Sequence, residues 1–156
     1  MSREELEAAF GNAIRAYQTG VDNFDQAMAD HLGINRTDGR CIDLIDQAGG
    51  MTAGELAKAA GLTTGAVTAV IDRLEAAGVA ERVADPNDRR RVRIEATPKL
   101  WELSEPLIGP MVAESQAIID DLSDSEIARF TEFMNRAIEI QARHTERVRE
   151  LPKRTY

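Results

Sequence analysis

The chain has 156 residues, 43% hydrophobic but only 4% aromatic, and a formal net charge of −8. That length buries roughly 68–70% of the unfolded surface, enough for one compact domain without metal or disulfide, and the hydrophobic content excludes a disordered polymer. Scarce aromatics leave an aliphatic core that favours helices over a β-sandwich, the single Cys41 excludes an intramolecular disulfide, and no run of ~18 apolar residues is present to span a membrane.

Ser2-Arg3-Glu4-Glu5 opens a mixed-charge amphipathic run rather than a signal peptide, so a reduced, cytoplasmic protein is expected. Ser2 and Glu5 form a capping-box pair. Leu6, Phe10, Ala13, Ile14, Tyr17, Val21, Phe24 and Met28 then follow at helical spacing until Gly33. A helix that long exceeds what a small domain needs, and reads either as one core face or as a helix shared with a second subunit. Thr37 to Gln47 gives a short second helix, ended at Gly49-Gly50. Thr52 and Glu55 make another capping box for a helix that stops near Gly61, and Thr63 starts the next, which runs to about Ala77 before Gly78.

The period then changes from helix to strand. Val79–Val83 and Arg91–Glu95 alternate, with Asp85-Pro86-Asn87-Asp88 as turn chemistry between them, which reads as a hairpin. Thr97-Pro98 is an N-cap followed by proline at the first helical position. The helix it opens carries Pro106 and Pro110, each expected to kink it by removing a backbone donor. Ser123 and Glu126 are a third capping box, before a last long helix with Ile127, Phe130, Met134, Ala137, Ile138 and Val148 on one side. The expected fold is mainly α with a small β-hairpin.

Leu56 to Leu74 carries the functional signal. Two helices crossing steeply over a tight turn need a small residue at their approach, here Ala57, and a residue tolerant of positive φ in the turn, here Gly61. Val67, Val70, Ile71 and Leu74 face inward on the second helix, leaving Thr64, Gly65, Thr68, Ala69 and Asp72 outward or flanking and Arg73 at the edge. Small residues at the helix start let the backbone approach a DNA major groove, and threonine can meet phosphate, base or thymine methyl. The hairpin follows at once, with Asp88-Arg89-Arg90-Arg91 at its tip. Arginine suits phosphates and narrow minor grooves, and Asp88 can aim a neighbouring guanidinium. From Thr52 to Ala96 seven basic residues balance seven acidic ones, so the −8 lies outside this window. The result is a local basic finger on an acidic body.

The run MTAGELAKAAGLTTGAVTAVIDRLEAAGVAERVADPNDRRRVRIEATP resembles the winged-helix core of the MarR (multiple antibiotic resistance regulator) family, and LGINRTDGRCIDLI resembles its second helix. The resemblance covers Leu32 to Pro98, and the order of the flanking helices extends it to almost the whole chain. It implies a sequence-specific transcription regulator, a ligand-responsive repressor that binds double-stranded DNA as a homodimer on a pseudo-palindromic operator. Residues 1–36 would be an N-terminal dimerisation helix, 37–97 the winged lobe and 98–156 the C-terminal dimerisation helices. Thr63, Thr64, Gly65, Thr68 and Arg73 would serve the recognition helix. Asp88, Arg89, Arg90 and Arg91 would serve the wing, with Arg90 in the minor groove and Asp88 bracing it. The proline pair departs from the family pattern and leaves the dimer packing open.

A small aromatic or acidic effector is implied between the lobe and the dimer helices, with His31 and Cys41 as candidate pocket residues. His31 also reads as a capping or surface residue, Cys41 as a buried structural thiol or a redox sensor, and His144 as a solvated side chain. No metal-ligand spacing, nucleophile elbow or phosphate loop is present, so neither a cofactor nor an enzyme is expected. A winged-helix module that only binds protein is the alternative; an Arg90→Ala change separates the two.

Overall fold

A computed structural model describes residues 1–86, 88 and 90–152. Local capping chemistry sets most of the boundaries. The elements are α1 (Arg3–Leu32), α2 (Arg36–Gln47), α3 (Ala53–Ala60), α4 (Thr64–Ala77), β1 (Ala80–Ala84), β2 (Val92–Ala96), α5 (Pro98–Asp120) and α6 (Asp124–Arg149). The capping boxes at Ser2/Glu5, Thr52/Glu55 and Ser123/Glu126 are all formed, each satisfying two otherwise orphaned backbone N–H groups. The second helix begins one residue earlier than expected. Asn35 is its cap, accepting from the Asp38 N–H at 2.9 Å and donating to the Asp38 carboxylate at 2.8 Å.

The mainly helical fold with a two-stranded hairpin is observed. β1 and β2 pair antiparallel, Ala80 opposite Ala96 and Ala84 opposite Val92, each strand one residue later than expected. Val79 belongs to the end of α4 instead: it is buried, and its N–H donates to the Leu74 carbonyl at 3.1 Å. A bridge between Met51 and Ile94 adds a short third rung, with N···O distances of 3.0 and 2.8 Å.

Thr97 does not cap α5 with its hydroxyl, a correction to the expected N-cap. Its Oγ1 donates to the Gly78 carbonyl at 2.7 Å, and Lys99 Nζ donates to the Ala77 carbonyl at 2.8 Å. The start of α5 thus satisfies the carbonyls that α4 leaves unpaired at its end. Pro106 and Pro110 do not end α5, which stays helical from Pro98 to Asp120, although the carbonyls of Glu102 and Pro106 lose their helical donors.

The chain divides into two compact units, Met1–Ile108 and Gly109–Tyr156, with the division falling between those two prolines. The first unit holds the core: Cys41, Ile42 and Ile45 from α2, Leu56 from α3, Val67, Val70, Ile71 and Leu74 from α4, and Val79, Ala80 and Ile94 at the hairpin. The second unit holds the end of α5 and all of α6, and α6 has no buried residue. Among the described residues no helix is long and apolar enough to cross a membrane.

Candidate nucleic-acid interface

Leu56 on α3 and the four inward residues of α4 fix the two helices against each other with almost no exposed surface. Gly61 makes the turn between them at φ 69°, a left-handed conformation that costs an L side chain ~1–2 kcal/mol. The N–H of Leu62 then reaches back to the Ala57 carbonyl at 3.0 Å, closing the end of α3. These contacts present the other face of α4 to solvent. Thr63 caps the helix by accepting from the Ala66 N–H at 3.3 Å, while Thr64, Gly65, Thr68 and Ala69 are exposed. A Cβ added at Gly65 would meet no atom within 4 Å, so nothing inside the chain requires glycine there. No acidic residue occupies the first turn of α4, unlike α1, α3 and α6. Its N–H groups and dipole therefore face outward without local neutralisation, suited to an anion.

Asp72 would place a negative charge beside that face. Arg82 on β1 neutralises it, with Nη2 at 2.8 Å from the Asp72 carboxylate and a further ion pair to Glu75. The same contacts fasten β1 to the recognition helix. At the tip, Asp88 orders the backbone: its carboxylate accepts from the Arg90 N–H at 3.0 Å, and its carbonyl from the Arg91 N–H at 2.8 Å. Asp88 therefore organises the backbone of the turn among the described residues. Among the described residues, the exposed Arg90 guanidinium has no partner. Arg91 lies 3.6 Å from Glu55. Hydrogen bonds from Thr52, and then the positive charges of Arg91 and Arg93, lower the Glu55 pKa. Arg89 lies outside the described residues.

Two arginines hold the lobe together. Arg73 points back to α2, where its Nε and Nη2 donate to the two oxygens of Asp38 at 2.7 and 2.6 Å. Its guanidinium is thus engaged inside the lobe, where the sequence suggested a DNA contact. Arg93 Nη2 donates to the carbonyls of Gly49 and Gly50 at 2.8 and 2.7 Å, pinning the loop after α2 to the wing. Neither role was legible in the sequence, because both partners lie far away along the chain.

Within the first unit, α1, α2 and the start of α5 enclose a cavity of about 520 Å³. Asp22, Asp25, Asp43 and Asp46 line it together with Arg36 and Arg40. Met28, Leu32, Ile42, Leu100, Trp101 and Ile108 supply apolar wall. Neither His31 nor Cys41 lines it. His31 is exposed, and Cys41 is fully buried in the core beneath α4. Burial first, then the charge of Asp38, pushes the Cys41 thiol pKa up against the opposing pull of Arg40 and Arg73, the direction that disfavours the nucleophilic thiolate. Asp22, Asp25, Asp43 and Asp46 were not singled out from the sequence, although their spacing of three places each pair on one helix face.

This lobe, with an outward helix and an arginine-tipped wing, defines a winged helix-turn-helix protein. The MarR family model matches residues 34–92. The chain is 38% identical over 149 residues to the HTH-type transcriptional regulator YcgE of Bacillus subtilis, across 96% of this chain and 97% of the relative. It belongs to the MarR family. Among solved structures, a MepR point mutant from a multidrug-resistant Staphylococcus aureus clinical isolate superposes with a TM-score of 0.66 at 19% identity, covering 85% of this chain and 96% of that one. A second S. aureus MepR mutant, bound to an oligodeoxyribonucleotide, gives 0.53 at 20% identity, covering 85% and 97%. At those identities the likeness is one of fold.

Proposed function

We propose that the protein is a cytoplasmic, non-enzymatic transcription regulator that binds a pseudo-palindromic DNA site as a homodimer and releases it when a small molecule occupies the α1–α2–α5 cavity. One observation carries this: among the described residues the start of α4 and the Arg90 guanidinium face solvent with no internal role, while the neighbouring Asp72, Arg73, Arg82 and Arg93 are engaged within the lobe. Thr63, Thr64, Gly65 and Thr68 would meet the major groove, and Arg90, with Arg89 and Arg91, the adjacent backbone or minor groove. The oligodeoxyribonucleotide-bound MepR has the same fold and supports the docking.

The dimer follows from what the chain leaves uncovered. Leu6 and Tyr17 on α1, and Phe130, Met134 and Ile138 on α6, are at least half exposed. A second copy covering the same stripes makes an isologous interface. Residues 1–36 and 98–156 would form it, leaving 37–97 as the lobe that reads DNA. Binding to DNA flanking the protein's own coding region, measured for wild type and Arg90→Ala over a salt series, tests the proposal. Tight, salt-sensitive binding that the variant loses supports it. Equal binding of that DNA and random sequence by both proteins, with no site recovered from a random pool, refutes it.

A further inference from the structure

The cavity beside α2 has a charge that an acidic effector does not match. Its carboxylates come as two pairs spaced three apart, Asp22 with Asp25 on α1 and Asp43 with Asp46 on α2, and all four turn into one wall. Arg36 neutralises Asp22. Arg40 is then the remaining cation in a wall that still holds Asp25, Asp43 and Asp46, so the lining carries a formal excess of two negative charges. The rest of the wall is apolar and includes Trp101, the sole tryptophan of the chain.

We propose that the α1–α2–α5 cavity takes an organic cation with an aromatic body, its positive charge beside Asp25, Asp43 and Asp46 and its rings against Trp101. The inference rests on the ligand-responsive reading above and names the ligand class for that site. The volume of about 520 Å³ is that of a small-molecule site. Like charges held this close repel one another, and a cation relieves the repulsion whereas a carboxylate adds to it. Asp43 registers the strain: partial desolvation, then the charges of Asp25 and Asp46, raise its pKa. An indole face attracts a cation further through its quadrupole. The cavity wall is also the helix that grips the recognition helix, since Asp38, which holds Arg73, neighbours Gly39 and Arg40 of the lining. An occupant that shifts α2 therefore has a direct path to α4.

Tetraphenylphosphonium and tetraphenylborate share a shape and differ in the sign of their charge, which isolates this term. Each is titrated into the full chain, with Trp101 fluorescence and calorimetry as readouts. Saturable binding of the phosphonium, at least about tenfold tighter than the borate, is expected. The Asp25→Asn, Asp43→Asn and Asp46→Asn triple variant should lose that preference while its thermal unfolding shows it folded. Should the triple variant not fold, Asp43→Asn alone serves, with a partial loss expected. Equal or tighter borate binding, no saturable phosphonium binding, or a preference retained in the variant overturns the assignment. DNA binding by the same samples separates the two proposals. Phosphonium binding that leaves DNA affinity unchanged supports the cation site and sinks the ligand-responsive reading; DNA release by salicylate without phosphonium binding does the reverse.

Discussion

Arg73 on the recognition helix and Asp38 on α2 form a two-pronged ion pair, with the aspartate side chain 5% exposed and the arginine 51%. That asymmetry dictates which partner is harder to lose. Arg73→Ala leaves a buried carboxylate with only Asn35 to satisfy it and should destabilise the lobe by about 2–3 kcal/mol. Asp38→Asn leaves a guanidinium that can turn to water and should cost less. Arg73→Lys should fall between, because an ammonium cannot match both oxygens at once. Urea unfolding of the three variants checks the order, and a loss below about 0.5 kcal/mol for Arg73→Ala would show that the pair contributes no more than a surface ion pair.

Gly65 separates folding from function. Its site has open space around a would-be Cβ and a helical backbone, so Gly65→Ala should stabilise the fold by about 0.4–1 kcal/mol by restricting the unfolded chain. On DNA the same methyl group would stand between α4 and the groove and should cost about 1–3 kcal/mol of affinity. A higher melting temperature with weaker operator binding is the expected pair of results. Unchanged affinity would mean that this end of α4 does not approach the duplex.

Gly50 behaves in the opposite way. It sits at φ 96°, and a Cβ there would lie 2.7 Å from Glu95 Cγ and 3.2 Å from the Ile94 carbonyl oxygen. Gly50→Ala must distort either its own backbone or the Met51–Ile94 bridge and displace the Arg93 guanidinium that holds the loop. A loss of about 1–3 kcal/mol in thermal or urea unfolding is expected.

Which parts of this were legible in the sequence follows from distance along the chain. Capping boxes join residues three apart, and all three formed as read. The turn at Gly61 and the inward stripe Val67, Val70, Ile71 and Leu74 were equally local, and so was the hairpin to within one residue. The Asp38–Arg73 pair spans 35 residues and the Arg93–Gly49 bond 44, so Arg73 looked like a groove-facing cation when its partner lay inside. Thr97 failed for a related reason: its hydroxyl had a local role by pattern, but the end of α4, 19 residues back, competes for it. The resemblance implied an effector site near here, but its lining was not legible because three helices contribute to it, although the paired spacing of its aspartates was on view.

Asp43 gives the lobe a pH signature. Its pKa is raised in the folded state by partial desolvation and then by Asp25 and Asp46, so the folded chain binds this proton more tightly than the unfolded chain does. Stability should therefore rise as pH falls from neutral through the raised value, and the gain is complete below the ordinary aspartate pKa. Asp43→Asn removes the repulsion at all pH values. It should stabilise at pH 7 by less than about 1 kcal/mol once solvent screening is allowed for, and the difference from wild type should shrink toward pH 4. A variant less stable than wild type at pH 7 would contradict the sign.

The helices outside the lobe make the last prediction. Phe130, Met134 and Ile138 recur every four residues along α6, each more than half exposed, and no residue of α6 is buried. A helix with no buried face has little to hold it in water, whereas covering those side chains with a second copy contributes about 1.5–3 kcal/mol for each one fully buried. Met134→Glu with Ile138→Glu puts charges into that stripe and should raise the dimer dissociation constant by at least about a hundredfold, some 2.7 kcal/mol. Sedimentation measures the monomer fraction, and circular dichroism should show helix lost with it. The core of the first unit lies wholly within Met1–Ile108, so the cooperative unfolding of that unit should survive in the monomer. Operator affinity should fall steeply, because one lobe alone contacts a single half-site. A variant that stays dimeric would place the two-fold contact elsewhere, on the α1 stripe of Leu6 and Tyr17.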